Sequence, residues 1–315
     1  MRNNRYLLLV GLFLLITSLA FAGGQGEDGG QPFIGVSVPS ADHGWTGAVI
    51  DYAEAKVDEL PIEGRVLTAA DVNKQSSDVE DLVAQGIDAL VILPLEGSPL
   101  TPAAQDVLDA GIPVVNFDRE LDDETWTALV KGDNRGIGVN GAKWLIDKLG
   151  GSGKVFMLSG PPVSVTTQRD NGFKDTIEGT DIEVVGLQDG GYQREKGYTV
   201  MQNALVAYPE IDAVFSIDDE MALGALQAIK EAGRTDIKYI TGAGGEKNFF
   251  EAIMEEDEIE MATFLYSPAM IQDSIDVAYK IITEGVDSVP ETTVIPATRV
   301  DRNNVEEYYD EDAPY

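Results

Sequence analysis

The 315-residue chain contains no cysteine. That excludes disulfides, thiolate metal ligands, a cysteine nucleophile and a lipid-modified cysteine at a processed N-terminus. Histidine occurs once, as His43. A histidine-cluster metal site is therefore excluded, and a Ser-His-Asp arrangement would have to be built on that one imidazole. No G-x-S-x-G elbow accompanies it. Basic residues are scarce, with 22 Lys and Arg against 55 Asp and Glu, a formal charge of −33 and a pI near 4.1. Such a surface repels phosphate backbones, so no nucleic-acid partner is expected. Beyond residue 22 no long apolar run occurs, which argues against a membrane-spanning mature protein.

What remains is a globular composition, 43% hydrophobic and 24% charged, on a length that suits about two domains. Residues 1–22 have the parts of a secretory signal. Arg2 and Arg5 form its positive end, Leu7 to Leu19 its apolar stretch, and Ala20-Phe21-Ala22 its small-x-small cleavage pattern. An exported, periplasmic protein beginning near Gly23 is expected. Residues 23–32 are Gly-rich and polar and read as a flexible tether.

From Phe33 onward short β-rich runs alternate with amphipathic stretches. The strands are expected at Phe33–Val38, Arg65–Thr68, Ala89–Leu93, Pro113–Phe117 and Ala128–Val130, then Val155–Ser159, Glu183–Leu187, Ala213–Ile217, Lys238–Thr241 and Met261–Phe264. Helices are expected at Trp45–Leu60, Val79–Gln85, Asn134–Leu149, Glu195–Ala207, Glu220–Ala232 and Pro268–Glu284, several closed by a glycine. This alternation predicts an α/β fold with parallel sheets covered on both faces. About ten strands exceed one ordinary open sheet, so two doubly wound domains are expected.

Ligands of open parallel sheets bind beyond the carboxyl ends of the strands. The residues following the expected strands include Asp42, His43 and Trp45, then Asp118-Arg119, Arg169, Tyr192, Asp218 and Tyr266. Carboxylates and guanidinium groups hold pairs of adjacent hydroxyls, and aromatic rings cover the C–H faces of sugars. This combination suggests a small polyhydroxylated ligand. Gly242-Ala243-Gly244-Gly245 lacks the spacing and the Lys-Ser/Thr of a phosphate-binding loop and reads as a strand-to-helix turn. Asp218-Asp219-Glu220 reads as the start of a helix rather than a cation site. Neither a metal nor a cofactor is expected.

Several segments carry a family resemblance. Val200 to Leu205, Tyr208-Pro209, Ala213 to Phe215 and Asp219 to Ala225 form one block. Ile112 to Arg119, Gly132-Asp133-Asn134 and Gln168 to Phe173 form others. Together they resemble the periplasmic sugar-binding proteins of ABC transporters, in the ribose-binding branch of the type I fold.

The resemblance implies two α/β domains, residues 33–132 with 266–296 and 133–265 with 297–315, joined by three hinge crossovers. It places the ligand between them, gripped by Asp118, Arg119, Arg169 and Asp218 and stacked on Trp45 and Tyr192. Its departures lie at Gly244, where an aspartate is usual, at Tyr266 in place of a glutamine, and at His43 and Asp218 in place of asparagines. They argue against ribose itself. The expected function is capture of a neutral sugar or polyol by a monomer, for delivery to an ABC permease. A same-fold sensor reporting to a chemoreceptor or histidine kinase is the alternative. An extracellular carbohydrate-active enzyme, which would need two working carboxylates at a set separation, is disfavoured, and no enzymatic activity is expected.

Overall fold

Each expected strand pairs in one of two parallel sheets. The computed structural model describes residues 31–41 and 43–315. The signal segment, most of the tether and Asp42 lie outside those residues. In the first half come β1 (Phe33–Pro39), α1 (Gly44–Glu59), β2 (Glu63–Ala69), α2 (Val72–Ala84), β3 (Ala89–Ile92), α3 (Gly97–Asp109), β4 (Val114–Phe117) and β5 (Ala128–Gly132). Next are α4 (Asn134–Leu149), β6 (Ser152–Ser159), α5 (Ser164–Ile177), β7 (Asp181–Asp189), α6 (Arg194–Ala207), β8 (Ala213–Ser216) and α7 (Asp219–Ala232). The chain ends with β9 (Tyr239–Gly244), α8 (Lys247–Glu255), β10 (Glu260–Leu265), α9 (Met270–Glu284), β11 (Thr292–Ile295) and β12 (Arg299–Asp301).

The first six-stranded sheet has the order β2-β1-β3-β4-β5-β11, the second β7-β6-β8-β9-β10-β12. All pairings are parallel except β10 with β12. Strands β3, β4 and β8 read ALVI, VVNF and AVFS and are buried throughout. Such unbroken runs suit strands covered on both faces. The chain passes between the sheets three times, after Gly132, after Leu265 and after Ile295. Strand order reverses between β1 and β3 in one sheet and between β6 and β8 in the other. At such a reversal the outgoing loops diverge and leave a crevice.

Several elements differ from the sequence expectation. Strands β11 and β12 escape notice because they are short, partly exposed edges. They become strands only by pairing with β5 and β10. Helix α2 starts at Val72, about two turns before the expected Val79, with Asp71 accepting from the Lys74 amide at 3.0 Å. Its inner face carries buried Gln75 and Asp78, which hide the apolar period. Gln75 is satisfied by the Leu93 carbonyl and the Leu95 amide, both at 2.8 Å. Helix α3 contains Pro99 in its first turn, where a missing N–H costs least, and Pro102 inside the helix, which obscures it in the sequence. Helices α5 and α8 received no bounds from the sequence, and the strand-to-helix turn is shorter than expected, since Gly242 to Gly244 belong to β9 and only Gly245 and Glu246 separate it from α8.

Helices α4 and α5 touch backbone to backbone. A Cβ added at Gly138 would lie 2.0 Å from the Arg169 carbonyl oxygen, and one at Gly172 would lie 2.4 Å from that of Arg135. No rotamer change relieves a clash with backbone. Gly138→Ala is therefore expected to cost at least about 1–3 kcal/mol, read as a fall of several degrees in Tm. Lys143→Ala on the exposed face of the same helix should stay within about 0.5 kcal/mol. Equal Tm values for the two variants would show that the helices have room to part.

Candidate functional site

The loops beyond the strand ends gather the predicted residues. His43 precedes α1 in an extended conformation, its Nδ1 lying 3.2 Å from the Thr46 hydroxyl. Trp45, in the first turn, is 7% exposed and stacks on Phe117, 6.1 Å away with planes 12° apart. Its indole N–H donates to the Tyr266 carbonyl at 2.8 Å.

After β4 the chain turns sharply at Asp118, whose φ of 63° is in the left-handed region. The buried Asn116 holds this turn, donating to the Arg119 carbonyl at 2.8 Å and accepting from the Leu121 amide at 3.0 Å. Arg119 donates through Nη1 to the Leu95 carbonyl at 3.0 Å. Tyr192 is likewise left-handed, with φ 58°, and its hydroxyl meets that of Thr166 at 2.5 Å. Two non-glycine residues in this sparse region, both at one site, mark a surface shaped against local preference. The imidazole of His43 and the Tyr192 ring face each other at 5.9 Å.

Arg169 requires a correction. The resemblance implies a guanidinium whose donors are spent on the ligand. The residue lies in the second turn of α5, 4% exposed, with Nε donating to Asn134 Oδ1 at 2.9 Å and Nη1 to the Ile217 carbonyl at 2.7 Å. Among the described residues Nη2 has no hydrogen-bond partner.

The three acidic residues after β8 have separate partners. Asp218 caps α7 by accepting from the Met221 amide at 2.9 Å. Asp219 accepts from the amides of Gly245 and Glu246 at 2.7 and 2.9 Å, and Glu220 pairs with Arg194 at 2.7 Å. Tyr266, on the second passage between the sheets, donates its hydroxyl to Asp118.

His43, Trp45, Asp118, Arg119, Arg169, Tyr192, Asp218 and Tyr266 all line one pocket, with Val163, Val165 and Ala243. It encloses about 400 Å³, mouth included, within the range of small-molecule sites. Asp42 lies outside the described residues. Sequence reasoning missed the two valines, because an apolar residue after a strand looks like core. It also missed Asn116 and Asn134. Asn134 stood in a segment singled out only as a crossover.

Burial pushes the Asp118 carboxyl up from its ordinary range, against the pull of Arg119, the Tyr266 hydroxyl and Arg169. Burial also raises Asp218, to about 6, opposed by the Met221 amide and by His43 and Arg169. At the mouth, Glu120 Oε1 accepts from Lys131 at 2.7 Å and from Gln168 of α5 at 2.6 Å, bridging the two lobes. Two carboxylates, two guanidinium groups and a nearly balanced charge surround a half-apolar pocket.

Two doubly wound lobes, crossed three times by the chain and sharing one polar pocket at their strand ends, define a two-lobed solute-binding protein. The periplasmic binding protein domain matches residues 34–285. The Bacillus subtilis ribose import binding protein RbsB is 40% identical over 220 residues, covering 70% of this chain and 68% of that one. A xylitol-binding protein of Mycolicibacterium smegmatis is 32% identical over 192 residues, 60% of this chain and 55% of that one.

Among solved structures, an ABC transporter solute-binding protein from Mycobacterium smegmatis with bound glycerol has a TM-score of 0.82 at 32% identity, covering 90% of this chain and 99% of that one. A Bacillus halodurans counterpart with bound myo-inositol has a TM-score of 0.82 at 28% identity, covering 92% and 100%. The chain belongs to the periplasmic binding protein family.

Proposed function

We propose that this protein is exported, captures a neutral sugar or polyol between its lobes, and delivers it to the permease of an ABC transporter. The observation that carries this reading is the convergence of Asp118 and Arg119 from one lobe with Arg169 and Asp218 from the other, against the rings of Trp45, Tyr192 and Tyr266. Each carboxylate has one oxygen already bonded within the protein, Asp118 to Tyr266 and Asp218 to the Met221 amide. The remaining carboxylate oxygens need donors, and the remaining guanidinium N–H groups need acceptors. A hydroxyl supplies both at once. The relatives' ligands, a ribose import binding protein's among them, are of this chemical kind.

The ligand would join the lobes, and the passages after Gly132, Leu265 and Ile295 would serve as hinges between residues 33–132 with 266–296 and residues 133–265 with 297–315. Closure then follows from the ligand's added contacts in the closed form, which the permease reads.

A thermal-shift screen of pentoses, hexoses, deoxy sugars, sugar alcohols and the matching sugar acids tests this. A neutral ligand at 100 times its Kd is expected to add about 2.7 kcal/mol of stability. Uronates and sugar phosphates are expected to give no shift, because the charges of Arg119 and Arg169 are already matched by Asp118 and Asp218. A shift with a sugar acid and none with its neutral parent would overturn the reading.

A further inference from the structure

The Tyr266 hydroxyl is engaged within the protein both as donor and as acceptor. It donates to Asp118 Oδ1 and accepts from Asn134 Nδ2 at 2.9 Å. A ligand hydroxyl in a carboxylate–amide niche would make the same two bonds, one donated and one accepted. The phenol thus stands where a ligand hydroxyl could stand, tethered to the chain.

The ring takes up the space as well. It is 4.4 Å from the Arg169 guanidinium and 5.9 Å from the Trp45 ring, and the residue is only 4% exposed. Gly132 faces it, and a Cβ there would fall 2.2 Å from the ring's Cε2. The first passage between the lobes therefore carries no side chain where the ring needs room.

We propose that Tyr266 sets the size limit of this site: as a built-in hydroxyl it closes the crossover end of the pocket and selects a ligand one hydroxyl-bearing carbon shorter than the cleft would otherwise hold. This rests on the sugar-or-polyol reading above. Tyr266→Gln shortens the side chain yet keeps an N–H to donate to Asp118 and an oxygen to accept from Asn134. Tyr266→Phe keeps the ring volume and gives up the hydroxyl.

The test is titration calorimetry of the wild type and both variants with erythritol, xylitol and sorbitol and with erythrose, ribose and glucose. The glutamine variant is expected to move the chain-length optimum up by one carbon, changing the affinity ratio of longer to shorter ligand at least tenfold. The phenylalanine variant is expected to weaken all ligands about equally and leave the optimum in place. Should the glutamine variant not fold, Tyr266→Ser keeps a hydroxyl without the ring and asks the same question. Binding with an unmoved optimum in the shortened variants, or an equal shift in the phenylalanine variant, overturns the size limit and leaves the sugar-or-polyol reading standing. Absence of binding by the wild type to any of these ligands, or to any sugar in the wider screen, overturns both.

Discussion

Arg169→Ala is expected to abolish measurable ligand binding. The guanidinium is buried and charged, and removing one partner of such a bond costs about 2–5 kcal/mol, roughly 30-fold to several thousand-fold in affinity. Arg169 also holds the site together from within, through Asn134 Oδ1 and the Ile217 carbonyl. Leaving those acceptors buried and unpaired costs about 1–3 kcal/mol each. Tm should therefore fall, while near-ultraviolet circular dichroism below the transition remains that of a folded protein.

Arg169→Lys should rescue little, because one ammonium cannot reach both acceptors and a ligand at once. A surface ion pair is no alternative explanation, since Asp175 is paired with Arg135 at 2.9 Å and Asp170 with Ser159 at 2.9 Å. Titration calorimetry decides. A loss of less than about fivefold, near 1 kcal/mol, would show that Arg169 does not grip the ligand.

The folded protein is expected to lose stability as pH rises from 5 to 8, and Asp219→Asn should flatten most of that slope. Burial raises Asp219 from 3.8 to about 8 and Asp218 from 3.8 to about 6, with Asp218 adding to the shift at Asp219. Below about pH 4 both states hold these protons and nothing is gained or lost. Above it the unfolded chain ionises first, so the folded state binds more protons and its stability falls with pH. The loss continues until pH passes about 6 for Asp218 and about 8 for Asp219.

Each group contributes at most about 1.4 kcal/mol per pH unit between its two pKa values. Asp236, lowered to about 2 by the Arg234 hydrogen bond, works in the opposite sense and only below pH 4, outside this window. An asparagine at 219 keeps an oxygen for the Gly245 and Glu246 amides. Its amide can also face the Thr263 hydroxyl that lies beside Asp219. Thermal melts at pH 5 and 8 check this. Equal pH slopes for wild type and variant would mean that Asp219 is ionised in the folded state.

The candidate site was legible where a residue's chemistry and its place after a strand coincided. Asp118-Arg119, Arg169, Asp218 and the three aromatics could be found that way, because a parallel sheet sends every strand's carboxyl end to the same rim. Asn116 and Asn134 were not found. Asn116 holds a local turn behind the pocket without lining it, and Asn134 bridges Arg169 to Tyr266, partners remote in sequence. Gln75 and Asp78, polar yet buried, concealed the first two turns of α2, because a polar residue on the inner face breaks the apolar period.

By itself the sequence determined the α/β class, the ten main strands, the glycine-closed helices and the polar residues at the strand ends. These follow from local pattern: apolar runs, amphipathic period and conformational preference act over a few residues. Only the tertiary structure decided that Arg169 spends two of its donors on the protein, that Tyr266 bonds Asp118 and Asn134, and that Gly132 and Gly138 must stay without side chains. Those outcomes depend on which remote groups meet at hydrogen-bonding or van der Waals distance. Contact of that kind is set by the packing of whole helices and lobes, which no local period encodes.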